Sequence, residues 1–309
     1  MKAACGPTTC TGEGQNKKQF FPGVKNHSLE DPESVCYNTG KQKERNAAVP
    51  LRRGKRESMT RQEILETALR QAAADCSCDP EDFRRTENVI VESIASENGS
   101  RYMKFPHICA LFTFGNNVVA ACRKDLIPEI SAYVNGAEKI HRCFETPYLY
   151  RLNEILSKAN AQAAWMHTCF LPDPDRIYGA DLPCAYETRL LHPEDFAELY
   201  VPEWSNALCS DRKELDMLGV GAYDGGKLIG LAGCSADCPE MWQIGIDVLP
   251  EYRRQGIASA LTNRLARAVF DAGKMPFYAA AWANVRSFRN GLRSGFMPGW
   301  SALTAAEKE

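Results

Sequence analysis

Hydrophobic and polar positions follow strand and helix periods in turn along the second half of the chain. An apolar run over Met241–Val248 has the length of a buried strand. After a polar turn, apolar residues recur at helical spacing, at Ile257, Leu261, Leu265 and Val269. A second apolar run over 276–283 follows Gly273, a residue type that commonly ends helices. The pattern predicts a strand, a core-facing helix over 257–272 and another strand.

The residues before this unit predict a hairpin. Apolar runs over 218–223 and 227–234 flank Asp224-Gly225-Gly226, which favours a two-residue turn between antiparallel strands. Upstream of the hairpin the pattern predicts, in order, a strand over 186–191, a turn over 192–195 and a helix over 196–200.

Residues 59–180 alternate helical and strand patterns, which is typical of an α+β region. Thr60 and Glu63 have the spacing of a capping box and predict a helix over 61–74. Residues 171–175, with two prolines and two aspartates, are interpreted as a linker. The other predicted elements are strands over 88–94, 108–114, 118–122 and 162–170 and helices over 126–134 and 147–159.

Residues 1–58 have the composition of a disordered basic tail. They contain eleven basic and six acidic residues, a charge of about +5, which leaves about −7 for the rest of the chain. A segment with so few apolar residues buries too little surface to offset its ordering entropy. We interpret it as a solvated tail, or as upstream sequence preceding a natural start at Met59, rather than as an interaction arm around Arg52–Arg56.

Length and composition exclude some function classes. A chain of 309 residues predicts about two domains, and 44% hydrophobic and 25% charged residues are ordinary for a soluble protein. A net charge of −2 favours neither nucleic acid nor membrane as partner, and no secretory segment follows Met1, so we expect a cytoplasmic protein. The 13 cysteines are scattered without paired zinc-ligand spacing, so we expect buried thiols and no metal site.

Candidate chemistry begins in the turn between the predicted strand and the long helix. Arg253-Arg254-Gln255-Gly256-Ile257-Ala258 places small residues where the backbone can approach a ligand closely. The amides from Gln255 to Ser259 would point out of a helix N-terminus. Unpaired N–H groups and the helix dipole both favour an anion there, so the turn predicts a pyrophosphate site.

This turn resembles motif A of the GNAT superfamily of N-acetyltransferases, Arg/Gln-x-x-Gly-x-Gly/Ala. The similarity extends to Val248-Leu249-Pro250 before it and to Asn284-Val285-Arg286-Ser287 and Gly295-Phe296 after it. The resemblance implies an α+β GNAT fold over 184–309: a mixed, mostly antiparallel sheet flanked by helices, with splayed fourth and fifth strands. A smaller α+β accessory domain over 59–180 would precede it. The whole layout resembles an uncharacterised two-part bacterial group related to zwittermicin-resistance-type acetyltransferases.

The resemblance also implies acetyl-CoA as cosubstrate. Amides of the splayed strand would polarise the thioester carbonyl, and Asn284 would bind the pantetheine arm, with Ser287 beside it. The implied cofactor-binding residues are Val248, Leu249, Arg253, Arg254, Gln255, Gly256, Ile257, Ala258, Ser259, Asn284 and Ser287.

The sequence identifies the residues that transfer protons less clearly than those that bind the cofactor. Many family members carry a tyrosine acid where this chain has Gly291. Tyr278 is the candidate substitute, with packing in the strand as the alternative. Glu203 is a candidate to bind or deprotonate the acceptor ammonium, and Asp247 is a second candidate base. By the two-residue strand period Gln243 shares a face of the fourth strand with Asp247, toward the acetyl group, and a structural role is the alternative for each residue.

Three functions follow from the resemblance. The first is acetyl transfer to a small amine or antibiotic-like acceptor within a ternary complex. The second is acetylation of a peptide or protein N-terminus. The third is an acyl-CoA-binding module without catalysis, which Gly291 makes conceivable.

Overall fold

The computed structural model describes residues 59–180 and 182–308, and the tail predicted over 1–58 lies outside them. Ten strands in the described residues form one sheet. In chain order they are β1 Val89–Glu92, β2 Cys109–Thr113, β3 Val119–Cys122, β4 Ala161–Pro172, β5 Glu187–Leu191, β6 Asp216–Asp224, β7 Lys227–Ser235, β8 Met241–Val248, β9 Met275–Ala281 and β10 Phe296–Glu307.

The spatial order of the strands is β1-β3-β2-β10-β4-β9-β8-β7-β6-β5. Only the β1–β3 and β8–β9 pairs are parallel, so the predicted α+β class with a mixed, mostly antiparallel sheet is confirmed. The α-helices are α1 Arg61–Cys76, α2 Ile127–Asn135, α3 Tyr148–Ser157, α4 Pro174–Gly179, α5 Ile257–Asp271 and α6 Val285–Arg293. Among the residues described, no helix combines the length and apolar character that a membrane crossing requires.

Local sequence signals are confirmed where they set an element boundary. Thr60 and Glu63 form the capping box that starts α1. Gly225 and Gly226 both have positive φ, as a type I′ turn between β6 and β7 requires. At the end of α5, Gly273 has φ +75°, and Lys274 N donates to Val269 O, which closes the helix in a Schellman motif.

Two sequence predictions are wrong. Residues 171–175 are not a linker, because β4 continues through Pro172 and Asp173 then caps α4. Proline at the first position of a helix after an aspartate cap is a helix start, and this signal outweighed the turn composition. The helix predicted over 196–200 is absent, since a 3-10 helix over Pro193–Asp195 and turns occupy that region.

The core lies on both faces of the sheet. α1 and α5 cover one face, where the predicted stripe of Ile257, Leu261, Leu265 and Val269 is fully buried with Trp242 and Ile244 of β8. α2 and α3 cover the opposite face of the β1–β3 end. A short segment around Trp204–Leu208 packs on that same opposite face beside Leu231 of β7.

The sheet is continuous across the predicted domain boundary at 180–184. β4, from the region predicted as the smaller domain, lies between β9 and β10, and β10 also pairs with β2. Pairing of β10 with β4 extends from Phe296↔Pro172 to Glu307↔Ala161. The division into 59–180 and 184–309 stays a prediction, and the two parts share one sheet.

The sheet opens in its centre. β8 and β9 pair from Met241↔Met275 to Ile244↔Tyr278. Beyond that point β8 remains paired with β7 as far as Val248, while β9 pairs with β4 as far as Ala281. The two strands therefore diverge, as predicted for the fourth and fifth strands of the C-terminal region.

Candidate functional site

The turn between β8 and α5 has the backbone geometry of an anion site. Arg254 and Gly256 both have positive φ, at +66° and +82°. Within α5 the first bond closed from the N-cap is Ala260 N to Gly256 O, so the amides of Gly256–Ser259 have no intrahelical acceptor. Such a turn followed by a helix N-terminus presents several N–H groups to one ligand.

The diverging end of β8 supplies further amides. Leu249 N donates to Ile229 O of β7, at 3.0 Å. Because amides alternate in direction along a strand, those of Val248 and Ile246 face the gap left by β9. The Val248 carbonyl accepts from Nε of Arg253, at 2.9 Å, which fixes the turn against the strand end.

The gap widens into a cleft of ≈ 1560 Å³. Its lining includes most predicted cofactor-binding residues: Val248, Arg253, Arg254, Gly256, Ile257, Ala258, Ser259, Asn284 and Ser287. Leu249 and Gln255 depart from the prediction, since neither lines the cleft. The Leu249 amide is bound in the sheet and its side chain packs beside Trp204, and Gln255 accepts a bond from the Tyr186 hydroxyl, at 2.8 Å.

One wall of the cleft is cationic. Arg286, Arg289 and Arg293 of α6 follow helical spacing, line the cleft and are exposed. No ion-pair partner for them occurs in residues 59–180 and 182–308. The Ser259 hydroxyl donates to Asn290 Oδ1, at 3.1 Å, so α6 lies against the first turn of α5. The arginines therefore flank the anion-binding turn, and their spacing was visible in the sequence.

Tyr278 lies at the point where β8 and β9 separate. Its hydroxyl is 2.6 Å from Ser287 Oγ, and both residues line the cleft. Burial raises the pKa of Tyr278, which keeps the phenol protonated and able to donate. A Cβ at Gly291 would lie 3.2 Å from Cδ1 of Tyr278, so the missing side chain on α6 leaves room for this ring.

Asn284 has the position predicted for it and an additional local role. Its side chain is the N-cap of α6, with Oδ1 accepting from Ser287 N at 3.1 Å. This bond orients the amide so that its NH₂ group remains to donate to a ligand in the cleft.

Asp247 and Glu203 are placed differently from each other. Asp247 lines the cleft, but its carboxylate accepts bonds from the side chain and backbone N of Asn206, at 2.5 and 2.7 Å, and from Ala207 N at 3.1 Å. Burial raises the pKa of Asp247 against the effect of these bonds. The carboxylate anchors the Trp204–Leu208 segment. Glu203 lies exposed on a 3-10 helix and outside the cleft lining, so the structure does not bring it to the site.

Sequence reasoning missed all but Gln243 of a polar group at the other end of the cleft. Asp216, Ser235 and Gln243 lie in one register row across β6, β7 and β8, with Asp237 and Arg212 beside them. No local motif marks these residues, since strand pairing alone brings them together.

Cysteine side chains in the described part of the chain are mostly buried thiols. Seven of its ten cysteines are buried, and all ten are free thiols, as expected for small apolar residues. Within 59–180 and 182–308 no group of three or more His, Cys, Asp or Glu side chains has the arrangement of a metal site.

The C-terminal part of the chain is similar to a known protein family. Residues 180–290 match the family model for the acetyltransferase (GNAT) family. No curated protein matches the chain.

Several solved structures match parts of the chain at low sequence identity. A GCN5-related N-acetyltransferase-like protein from Streptococcus suis 89/1591 is 19% identical, over 52% of this chain and 69% of its own, with a TM-score of 0.40. A GCN5-related N-acetyltransferase from Kribbella flavida is 15% identical, over 51% and 64%, with a TM-score of 0.41. A Drosophila protein is 14% identical, over 79% and 89%, with a TM-score of 0.39.

Proposed function

We propose, from the match of residues 180–290 to the GNAT acetyltransferase family, that the protein is an acetyl-CoA-dependent N-acetyltransferase. The acceptor is a small amine, and transfer is direct, within a ternary complex. Similarity to the family supports acyl transfer from a CoA thioester to an acceptor.

The observation that carries the proposal is the divergence of β8 and β9 directly beside the anion-binding turn. The pyrophosphate would accept hydrogen bonds from the amides of Gly256–Ser259, and the pantetheine arm would extend along β8 toward Ile246. A thioester carbonyl at that point faces the Val248 and Ile246 amides. Fixed amides aimed at a developing oxyanion stabilise the tetrahedral transition state.

Protonation of the departing thiolate is assigned to Tyr278. Its hydroxyl lies at the strand divergence, contacts Ser287 Oγ and is held in the protonated form by burial. Gly291 is the matching change on α6, because a side chain there would occupy space that the Tyr278 ring fills. The absence of a residue-291 acid is therefore compatible with catalysis.

The two other functions considered differ in a measurable way. A non-catalytic module would bind acetyl-CoA without releasing thiol in the presence of any amine. A peptide N-acetyltransferase would release thiol with short peptides more efficiently than with small amines.

The test combines two measurements on the full chain. Calorimetry with acetyl-CoA measures binding, and a thiol-release assay with a panel of amines and peptides measures transfer. Binding together with amine-dependent thiol release is the expected result. Absence of acetyl-CoA binding would overturn the proposal, and binding without thiol release across the panel would support the non-catalytic module.

A further inference from the structure

The cleft has an acidic end opposite the arginines of α6. Asp216 pairs with Ser235, and Ser235 pairs with Gln243, so the three side chains project from one face of three neighbouring strands. Gln243 alternates with Trp242 and Ile244, which face α5. The row therefore lies on the face opposite α5, at the far side of the strand divergence from the anion-binding turn.

The Trp204–Leu208 segment, which covers this face, lies very close to the sheet. A Cβ at Gly245 would lie 1.7 Å from Asn206 O, and one at Gly233 would lie 2.1 Å from Ala207 O, so only glycine permits this crossing. Asp247 holds the Asn206 and Ala207 amides on one side of the crossing. The row that contains Asp216 lies on its other side, next to the open cleft.

Asp216 is only partly satisfied by the protein. Its Oδ2 accepts from Cys209 N, at 2.9 Å, whereas Oδ1 is buried without a hydrogen-bond partner among the described residues. The residue is 2% exposed and lines the cleft. Asp237, 1% exposed, lies beside it, and its Oδ1 is 3.1 Å from Nε of Arg212, without hydrogen-bond alignment.

The two buried carboxylates at this end differ in their charge partners. Asp237 forms an ion pair with Arg212 and is also attracted by Arg101, whereas Asp216 forms no ion pair in the described part of the chain. A buried carboxylate with a free acceptor oxygen is costly unless a cation or donor completes it. A ligand that brings a positive charge and N–H donors into the cleft would pair with the Asp216 charge and donate a hydrogen bond to its Oδ1.

We propose that Asp216, Asp237 and Gln243 form the acceptor subsite, which binds the primary ammonium group of a cationic amine, and that Asp216 receives its proton. This rests on the proposed function, and it names the substrate class for that site.

The transfer step balances in protons and electrons. The ammonium loses one proton to the Asp216 carboxylate, and Asp216 later releases it to solvent. The neutral amine attacks the thioester carbonyl carbon, a C–N bond forms and the C–S bond breaks, and the bonding pair leaves on sulfur. The thiolate takes one proton from the Tyr278 hydroxyl. The nitrogen loses its second proton as the amide forms, and this proton returns to Tyr278.

The electrostatics of the site agree with a base at Asp216. Burial raises the pKa of Asp216 to about 7, against the lowering effects of Cys209 N, the Tyr200 hydroxyl and Arg212, and the charge of Asp237 also raises it. Tyr200, Cys209, Arg212, Cys234 and Asp237 are the titratable groups around it. At neutral pH, a carboxyl with such a pKa is partly deprotonated and still has enough proton affinity to accept a proton from the ammonium.

The experiment uses the full chain, acetyl-CoA and three probes: 1,4-diaminobutane, n-butylamine and glutamate. Thiol release is measured from pH 5.5 to 9 for the wild type, D216N, D237N and the control E214Q. Glu214 is exposed on the same 3-10 helix as Arg212, outside the cleft lining. Melting temperature and acetyl-CoA Kd are recorded for each variant, so that loss of fold or of cofactor binding is recognised.

The wild type is expected to prefer both cationic probes over glutamate by at least tenfold in kcat/KM. D216N is expected to lose about 10²-fold in kcat/KM and the acid limb of the pH profile, with acetyl-CoA Kd unchanged. D237N is expected to raise KM for 1,4-diaminobutane with little change in kcat, and E214Q to behave as the wild type.

Two results would overturn the subsite and leave the proposed function intact. They are equal use of glutamate and a D216N protein that keeps full kcat/KM and the acid limb. Thiol release with peptides but with neither cationic probe would overturn both the subsite and the small-amine acceptor. If D216N does not fold, an unchanged KM in D237N overturns the subsite. Wild-type protein that does not bind acetyl-CoA at all would instead refute the proposed function.

Discussion

At the scale of single residues, Gly256 matters because it has no side chain. Gly256 has φ +82°, and the nearest atom to a Cβ placed there would be Pro183 O, at 4.0 Å. The position is therefore open, and glycine is favoured there by backbone conformation rather than by internal packing.

Gly256→Val is expected to weaken acetyl-CoA binding at least tenfold, about 1.4 kcal/mol, as measured by calorimetry. The matched control is Gly225→Val, because Gly225 also has positive φ and open space around it but lies in the β6–β7 turn. Both variants carry backbone strain, and only the first should lose affinity. Equal affinities in the two folded variants would remove the anion-binding turn from the site.

Tyr278→Phe is expected to lower kcat about 10²-fold, since the hydroxyl at Ser287 is lost while the ring remains packed against Gly291. Acetyl-CoA Kd should be unchanged. Tyr133→Phe is the control, because Tyr133 is also buried and bonded through its hydroxyl, to Cys143 O at 2.8 Å, outside the cleft. Full activity of Tyr278→Phe would show that water protonates the thiolate.

Among the elements, α6 and β8 give the cleft its two chemical ends. α6 brings three exposed arginines to the anion-binding turn, while β8 carries amides toward the gap on one edge and polar side chains on the face opposite α5. The cleft is thus cationic where a phosphorylated cofactor would lie and acidic where the amine would enter. In the proposed function, opposite charges at the two ends would orient both substrates before transfer.

The double variant Arg289→Gln and Arg293→Gln is expected to lose the preference for CoA over dephospho-CoA, because these arginines flank the turn and are free to bind the 3′-phosphate. CoA affinity should fall about tenfold, with a weaker dependence on salt. Arg142→Gln, an exposed arginine outside the cleft, is the control. An equal loss for CoA and dephospho-CoA would place the arginines on the pyrophosphate instead.

At the scale of the whole molecule, the C-terminal part depends on the N-terminal part for a strand. β4 fills the position between β9 and β10, and β10 pairs on its other edge with β2. Phe170 of β4 also packs edge-on against Phe288 of α6, with ring centroids 4.6 Å apart.

A fragment that begins at residue 182 is therefore expected not to fold. One edge of β9 and both edges of β10 would be unpaired, and Tyr278 would lose its partner Phe170. Circular dichroism and thermal unfolding of the fragment, with the full chain for comparison, measure this. A cooperative transition in the isolated fragment would show that 184–309 is an independent domain.

A chain that begins at Met59 is expected to match the full chain in melting temperature and acetyl-CoA affinity, because α1 starts at its own capping box. Loss of several degrees, or of binding, would show that residues 1–58 pack on the body.

The sequence alone determined the elements whose causes are local. Gly225-Gly226 specified the hairpin turn, the capping box specified the start of α1, and the spacing of Ile257, Leu261, Leu265 and Val269 specified the buried stripe of α5. The anion-binding turn belongs to this group, since a short strand–turn–helix unit is set by the conformations that its own residues permit.

Tertiary structure alone decided where distant residues meet. The insertion of β4 beside β9, the packing of Tyr278 against Gly291, and the row from Asp216 to Gln243 all depend on strand register and on contacts between distant segments. Register is fixed by burial of whole strand faces, a property of the assembled sheet that no local pattern contains. For the same reason Glu203 was a reasonable sequence candidate for the acceptor side and lies outside the cleft, while Asp216 carried no sequence signal and lies within it.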